Sequence, residues 1–292
     1  RGFGADFNDN DQSAFDVSDD ERQQAYEERW AKGGLAFLAA YNDLVFDMHA
    51  NDTARAFFKS KIAARVDDPS LTEKLVPSTP IGCKRLCVDT HYYEIYNQAH
   101  VSLVDLNETP ITRIEGNAIL TGTIRCEVDA IVLATGFDAM TGAVMNIDIR
   151  GKNGLSLQDK WATGPKAYLG LATAGFPNLF LVTGPGSPSV LSNMLPSIEQ
   201  HVEWIASCIE FMDRHQHRSI DPDRDAEEAW IEHVNEVADT SVYPGCNSWY
   251  LGANVEGKSR VFMPYLGVPP YVEKCNEVVA AGYAGFKLSG TS

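Results

Sequence analysis

The chain has 292 residues, of which 44% are hydrophobic and 22% are charged, a composition typical of a globular protein with one large domain or two smaller ones. No apolar run approaches the ~20 residues that a membrane-spanning helix needs, so we expect no membrane partner. The formal net charge of −16 argues against nucleic acid as a partner, because such binding depends on cationic contacts with phosphates.

The first part of the chain is predicted to be helical between residues 18 and 75. Ser18 and Glu21 have the spacing of a capping box, in which a hydroxyl and a carboxylate satisfy the first amides of a helix. Apolar residues then recur at helical spacing. Breaks between about four helices are predicted at the glycine pair 33–34 and at Asn51-Asp52.

Short strands are predicted in the middle of the chain. The runs at 101–104, 111–114 and 130–133 are apolar or β-branched and are bounded by Asn, Pro and Gly. The run at 130–133 is wholly apolar, as in a strand buried on both faces of an α/β sheet. A further buried strand is predicted at 178–183, before the loop G-P-G-S-P-S at 184–189.

Two longer helices are predicted in the last third. Residues 195–212 have apolar side chains at helical spacing over about five turns. The predicted apolar face consists of Leu195, Ile198, Val202, Ile205, Ile209 and Met212. A second helix at 225–237 follows a predicted N-cap near Asp221, and the acidic cluster at 223–228 complements its dipole.

The sequence lacks the common catalytic signatures: it has no G-x-G-x-x-G, no P-loop, no G-x-S-x-G and no H-E-x-x-H. His215 and His217 are two positions apart at a helix end, where we expect their rings to point apart and to bind no metal.

The cysteines indicate a reducing compartment. They are scattered along the chain: Cys83, Cys87, Cys126, Cys208, Cys246 and Cys275. Only the first two are close together, and no second pair accompanies them. We therefore expect free thiols, no zinc site and a cytoplasmic protein.

Three stretches have residues suited to chemistry. The cations at 84–85 precede a predicted helix, and either a solvated surface or an anion site fits them. T-G-F-D at 135–138 follows a predicted buried strand, and small residues there allow a cofactor to approach the backbone. Trp249 lies in a stretch rich in Gly and Asn, which fits either a core position or a mobile loop contact.

Taken together, six segments resemble Baeyer–Villiger monooxygenases, most closely the phenylacetone monooxygenase branch. The segments are G-C-K-R-L at 82–86, L-A-T-G-F-D-A-M-T-G-A at 133–143, Y-L-G-L-A-T-A-G-F-P-N-L-F at 168–180, G-P-G-S-P-S-V-L-S-N-M at 184–194, S-I-E-Q-H-V-E-W at 197–204 and S-W-Y-L-G-A-N-V-E-G-K-S-R-V-F-M at 248–263. Their order and spacing agree with the family over nearly the whole chain.

The resemblance implies an α/β fold: the C-terminal part of a flavoprotein with two Rossmann-like dinucleotide-binding domains and an all-helical insertion. Residues 1–82 resemble most of that insertion, 83–137 the closing part of the NADP-binding domain, and 138–292 the C-terminal part of the FAD-binding domain. The glycine-rich fingerprints of both domains are absent. We therefore expect the partner to be a missing N-terminal half of the same protein, and the chain alone to be inactive and poorly soluble.

The resemblance also implies a function, in which one oxygen atom of O2 is inserted beside a ketone carbonyl to give an ester or lactone, with FAD and NADPH. Arg85 matches the arginine that stabilises the peroxyflavin, and Lys84 matches a lysine that contacts the NADP phosphate. Trp249 matches a loop tryptophan that closes over the nicotinamide cofactor. Met194 matches a residue whose backbone lies at the flavin ring.

The substrate pocket is implied at Ser189, Val190 and Leu191, which match the longer form of the bulge that lines it. Two alternatives remain: a related flavin monooxygenase that oxidises nitrogen or sulfur, and a non-catalytic remnant. Soft nucleophiles need a protonated hydroperoxide and no placed arginine, so the cations at 84–85 favour the ketone reaction.

Overall fold

The computed structural model describes residues 9–290. The ends of the predicted first and last domains, residues 1–8 and 291–292, lie outside this range. The N-terminal segment contains α1 (Asp19–Lys32), a 3-10 segment (Gly34–Ala40), α2 (Met48–Ala63) and α3 (Pro69–Leu75). The predicted capping box is present: Ser18 Oγ accepts from the Glu21 amide, and the Glu21 carboxylate accepts from the Ser18 amide. The helical segment and its break at 33–34 are thus confirmed.

The predicted break at 51–52 is wrong, because α2 runs through it. The helix begins after Asp47, whose carboxylate caps its first amides. Asn51 is fully buried, and its side-chain amide donates to the carbonyls of Leu44 at 2.7 Å and Ile81 at 2.9 Å. Asn51, which was predicted to lie at a helix break, therefore connects Ile81 to α2.

Only one of the strands predicted before residue 140 forms. A three-stranded antiparallel sheet contains β1 (Ile111–Glu115), β2 (Ala118–Thr121) and β3 (Arg125–Glu127). Residues 101–104 and 130–133 form no strand, and Val132 and Leu133 are 88% and 79% exposed. No strand of the described residues lies beside the apolar run, so its backbone and side chains have nothing to pair with.

The second sheet consists of β4 (His217–Pro222) and β5 (Phe286–Gly290), which are antiparallel. The strand predicted at 178–183 is wrong, since this segment contributes only an isolated bridge between Ala172 and Phe180. Every strand pair within residues 9–290 is antiparallel. The parallel sheet of a dinucleotide-binding domain is thus not among the described elements.

The C-terminal part is built on three helices. Two short helices, α4 (Gly142–Met145) and α5 (Leu157–Lys160), precede α6 (Met194–Arg214), α7 (Arg224–Asp239) and α8 (Val268–Ala280). The predicted helices at 195–212 and 225–237 are confirmed, although Asp223 and not Asp221 caps α7. No helix of the described residues is long and apolar enough to cross a membrane.

The buried face of α6 differs from the predicted apolar face. Its buried residues are Ser197, His201, Trp204, Cys208 and Met212. Leu195, Val202 and Ile209 are instead 70%, 50% and 54% exposed. Because these three residues are seven positions apart, they lie on one stripe of the helix. The helix therefore presents a second apolar stripe that the described chain leaves uncovered.

The described hydrophobic residues form three clusters: a helical core, a larger C-terminal core, and a small cluster around Leu157 and Trp161. In the first, the Tyr26 ring packs against Phe37 and Phe57, with centroids 5.2 and 5.4 Å apart. The second is formed largely by α6, α7, α8 and the segments between them, and it includes Cys83. The segment at 82–86 is consequently anchored in both parts of the molecule.

Candidate active site

Arg85 is placed against the predicted substrate bulge. Its Nη2 donates to the Val190 carbonyl at 2.7 Å, across 105 positions of sequence. Arg85 also lies at the hydroxyl of Tyr250: burial raises the pKa of this phenol, and the guanidinium partly opposes that increase. Lys84 and Arg85 are both exposed. The structure thus brings together the predicted arginine, the bulge and the loop that contains Trp249.

The turn before these cations depends on Gly82. Its φ is +93°, in the left-handed region that favours glycine. A Cβ at this position would lie 3.4 Å from side-chain atoms of Leu38 and Val45, so the turn packs closely on the helical segment. The next residue, Cys83, is fully buried. Lys84 and Arg85 are therefore held on a rigid base although their side chains reach the surface.

Cys83 forms a disulfide with Cys246, with their Cα atoms 5.5 Å apart. The expectation of free thiols is wrong for this pair. The two residues are separated by 163 positions, so only the fold brings them together, and sequence spacing could not reveal the pair. The bond connects the segment of Lys84 and Arg85 to the segment that precedes Trp249.

Trp249 is half-buried. Its position therefore lies between the two alternatives that the sequence left open, a core residue and a mobile loop contact. It opens a short 3-10 segment, Trp249–Leu251, capped by the Ser248 hydroxyl. Its ring packs edge-on against Tyr250, with centroids 4.5 Å apart. Part of the ring remains accessible for a ligand contact.

The T-G-F-D segment lies against the stretch that follows Trp249. Lys258 forms an ion pair with Asp138, and its ammonium also donates to the Ala139 carbonyl at 2.9 Å. Asn254 donates to the Phe137 carbonyl. The Phe137 side chain itself is 90% exposed. The segment at 135–138 and the stretch after Trp249, which the sequence analysis identified separately, therefore form one surface.

The bulge itself has an unusual backbone. Ser189 is 1% exposed and has a φ of +39°, while Val190 and Leu191 are half-buried. Ser192 and Ser197 hydroxyls are hydrogen-bonded at 2.6 Å, which joins the bulge to α6. Met194 is the first residue of this helix of 21 residues, so its backbone lies at the positive end of the helix dipole.

A buried histidine that the sequence analysis did not single out supports this loop. His201 Nδ1 accepts the Thr183 amide at 2.8 Å, and Nε2 lies 2.8 Å from the Tyr271 hydroxyl. That hydroxyl donates to the Leu169 carbonyl at 2.7 Å. Burial lowers the pKa of His201 to about 4, so the ring is neutral. No local signal in the sequence marked His201, because the buried face of α6 is not the face that its apolar residues predicted.

Two carboxylates hold the turn at 173–175. Glu227, read from sequence as part of a solvated acidic helix start, is 1% exposed. It accepts the Ala174 amide at 2.7 Å and pairs with Lys160 at 2.7 Å. Asp221 accepts the Gly175 amide at 2.8 Å. Glu227 is therefore a buried structural residue of the acidic cluster, because a backbone amide and the Lys160 ammonium both face its carboxylate.

The described residues contain no group of three or more His, Cys, Asp or Glu side chains placed to hold a metal. His215 and His217 do not point apart as expected. Their rings are nearly parallel with centroids 6.2 Å apart, because His217 starts β4 and does not continue the helix.

Known proteins resemble the chain over nearly all its length, although no family model matches it. It is 40% identical over 291 residues to cyclopentanone 1,2-monooxygenase from Comamonas sp. (strain NCIMB 9872), which covers 98% of this chain and 53% of that relative. It is 41% identical over 280 residues to a phenazine N-monooxygenase from Lysobacter antibioticus, covering 94% of this chain and 51% of the relative. A solved structure of a steroid monooxygenase bound to NADP matches 99% of this chain and 55% of its own, with 46% identity and a TM-score of 0.91.

These proteins are monooxygenases, and the match in structure confirms the predicted α/β class of dinucleotide-binding flavoproteins. More particularly, the chain belongs to the Baeyer–Villiger monooxygenase family, as a C-terminal part of its longer members. It spans about half the length of the curated relatives it matches. The closer likeness to the phenylacetone monooxygenase branch stays a prediction.

Proposed function

We propose that the complete protein converts a ketone to an ester or lactone, with O2, NADPH and FAD. The observation that carries this proposal is the placement of Arg85. Its guanidinium is bonded to Val190 in the bulge and lies beside Tyr250 in the Trp249 segment. A relative that covers 98% of the chain is named as a cyclopentanone 1,2-monooxygenase, and a structure that covers 96% of it is a complex with FAD and NADP.

The residues present fit part of each cofactor site. Lys84 is an exposed cation that suits the phosphate of NADP, and the half-buried Trp249 ring suits a stacking contact with its nicotinamide side. Met194 begins α6, and the positive end of the helix dipole at this position suits the electron-rich edge of a flavin. The flavin, when bound, supplies the activation of O2 with electrons from NADPH.

Arg85 is proposed to stabilise negative charge at the attacking oxygen and then at the carbonyl oxygen of the ketone. A guanidinium stays charged and offers donors in a fixed plane, and such preorganised donors are most effective where charge develops. Ser189, Val190 and Leu191 are proposed to line the substrate pocket. Only the half-buried Val190 and Leu191 offer it apolar surface.

The partner of the chain is proposed to be the other half of the same polypeptide. Leu195, Val202 and Ile209 form an exposed apolar stripe, and the run 131–133 is also exposed. Contiguous apolar surface of this kind indicates a contact that is missing. We retain the proposed division into a helical insertion (1–82), the end of an NADP-binding domain (83–137) and the end of an FAD-binding domain (138–292). On this division the chain alone is inactive.

The test of Arg85 uses the complete protein. In Arg85→Lys and Arg85→Ala we expect ester formation to be abolished while NADPH still reduces the flavin. Arg113→Lys, which changes an exposed arginine of β1 paired with Glu115, is the matched control and keeps full activity. Ester formation at the normal rate by Arg85→Lys would remove the assigned role.

Oxidation of a nitrogen centre is the second candidate, since the phenazine N-monooxygenase matches this chain as closely as the ketone-oxidising relative does. Product analysis by mass spectrometry with a cyclic ketone and with an aromatic N-heterocycle separates the two. A protein that is yellow and oxidises NADPH excludes the non-catalytic alternative. The cytoplasmic location stays a prediction, and the disulfide of Cys83 removes the free-thiol argument for it.

A further inference from the structure

Lys258 is the central contact between two segments that border the candidate site. We call residues 252–260, which follow Trp249, the latch loop. Its Lys258 ammonium pairs with Asp138 and donates to the Ala139 carbonyl at 2.9 Å. We propose that Lys258, acting through Asp138, is a positioning residue that holds the latch loop closed and so keeps Trp249 in place for the nicotinamide cofactor. This inference rests on the proposed function.

The two ends of the latch loop contact each other, and these contacts fix the position of Lys258. Gly252 has a φ of +80°, and a Cβ there would lie 2.9 Å from the Ser259 carbonyl oxygen. Arg260 Nη1 donates to the carbonyls of Gly252 at 2.6 Å and Lys258 at 2.8 Å. These contacts tie the two ends of the loop together, so the Lys258 ion pair acts on all of it.

Asp138 is equally fixed on the other side. A Cβ at Gly142 would lie 2.6 Å from the Asp138 Cβ, so the carboxylate rests directly on the glycine at the start of α4. The Lys258 side chain is 13% exposed and that of Asp138 is 41% exposed. The ion pair is thus partly shielded from water, which separates it from a fully solvated pair of little value.

The latch loop is coupled directly to Trp249. The Gly252 amide donates to the Trp249 carbonyl at 3.0 Å, so a displaced loop would pull on the tryptophan. Tyr250 is 2% exposed and belongs to the C-terminal core, so the residue beside Arg85 stays in place when the loop opens. Loss of the ion pair should therefore weaken cofactor binding more than it slows the chemical step.

The experiment uses the complete protein with Asp138→Asn, Lys258→Met and the exchanged pair Asp138→Lys with Lys258→Asp. Limited digestion with trypsin reports the loop directly through the cut after Arg260, which is the cleavage site in this loop that wild type and all three variants share. We expect Asp138→Asn to be cut there about fivefold faster than wild type, the size of effect that a partly exposed pair supplies. The KM for NADPH should rise by a similar factor while kcat changes less than about twofold.

The exchanged pair should restore part of the resistance to trypsin, which a merely local structural role would not explain. Glu277→Gln is the matched control: it removes the partner of Lys274 in a surface ion pair and should change neither readout. Equal cleavage rates in wild type, Asp138→Asn and Lys258→Met would overturn the proposal. If wild type oxidises no NADPH, the proposed function fails, but the digestion still decides whether the latch exists.

Discussion

The Thr183 amide donates to His201 Nδ1 at 2.8 Å, and this contact sets the tautomer of a fully buried ring. Because Nδ1 is an acceptor, the proton of the neutral ring is on Nε2, which donates to Tyr271. Tyr271 in turn donates to Leu169. Every polar atom of the ring is satisfied, and the chain of hydrogen bonds connects α6 and α8 to the start of the loop that presents Val190 to Arg85.

Replacing His201 should therefore destabilise the protein. His201→Leu leaves the Thr183 amide and the Tyr271 hydroxyl without their partner, and we expect a loss of about 2–4 kcal/mol in the free energy of unfolding. Tyr271→Phe keeps the Thr183 contact but leaves the His201 Nε2–H and the Leu169 carbonyl without this partner, so we expect a loss of about 1–3 kcal/mol. Urea unfolding of the complete protein measures both losses. A loss below about 1 kcal/mol in His201→Leu would contradict the structural role of the ring.

The same ring predicts a pH dependence. His201 has a pKa of about 4 in the folded protein against an ordinary 6.5, so the unfolded chain takes up the proton first as the pH falls. Its contribution is complete above pH 6.5 and is lost between 6.5 and 4, by up to about 3 kcal/mol. The comparison is the slope of unfolding free energy against pH in wild type and in His201→Asn. Parallel slopes would show that His201 is not the group responsible.

Glu227 and Lys160 should behave as a unit. Glu227→Gln leaves an ammonium that is only 11% exposed without its counterion, and we expect a loss of about 3–5 kcal/mol. The double variant Glu227→Gln with Lys160→Met removes the stranded charge and should lose less than the single variant. A double-mutant cycle by urea unfolding measures the coupling. Additive losses would mean that the pair does not interact in solution.

The disulfide predicts a thiol count. With Cys83 and Cys246 joined, four of the six cysteines of this chain are free, so these 292 residues, expressed alone and denatured without reductant, should react with four equivalents of a thiol reagent, and after reduction with six. Cys83→Ser with Cys246→Ser should lose about 2–5 kcal/mol of stability. Cys126→Ser, a free thiol in β3, is the control. Six reactive thiols before reduction would refute the bond.

Local signals in the sequence were sufficient to place several helices, but not to trace α2 through residues 51–52 or to identify the buried face of α6. The Ser18 box and the α6 periodicity depend on neighbours within a few positions, and both elements form as predicted. The run at 130–133 shows where such signals end: its composition is that of a buried strand, but a strand also needs a neighbour, and the described chain offers none.

For the site, the family resemblance identified residues that the structure does bring together, Arg85 with Val190 and the Trp249 segment. The contacts that hold these site residues together could not be predicted from the sequence. Cys83 and Cys246, or Lys258 and Asp138, are far apart in sequence, and a single sequence has no local feature that pairs them. His201 was not distinguished because its partners, Thr183 and Tyr271, come from separate elements.

The bond between Cys83 and Cys246 also makes the intervening polypeptide a covalent ring. A protease cut inside the ring, at any point between residues 84 and 245, leaves both pieces attached until the bond is reduced. A cut after Arg260 lies outside the ring and releases the C-terminal piece at once on denaturation. Electrophoresis with and without reductant can therefore tell an opened latch loop from damage inside the ring in the same digest.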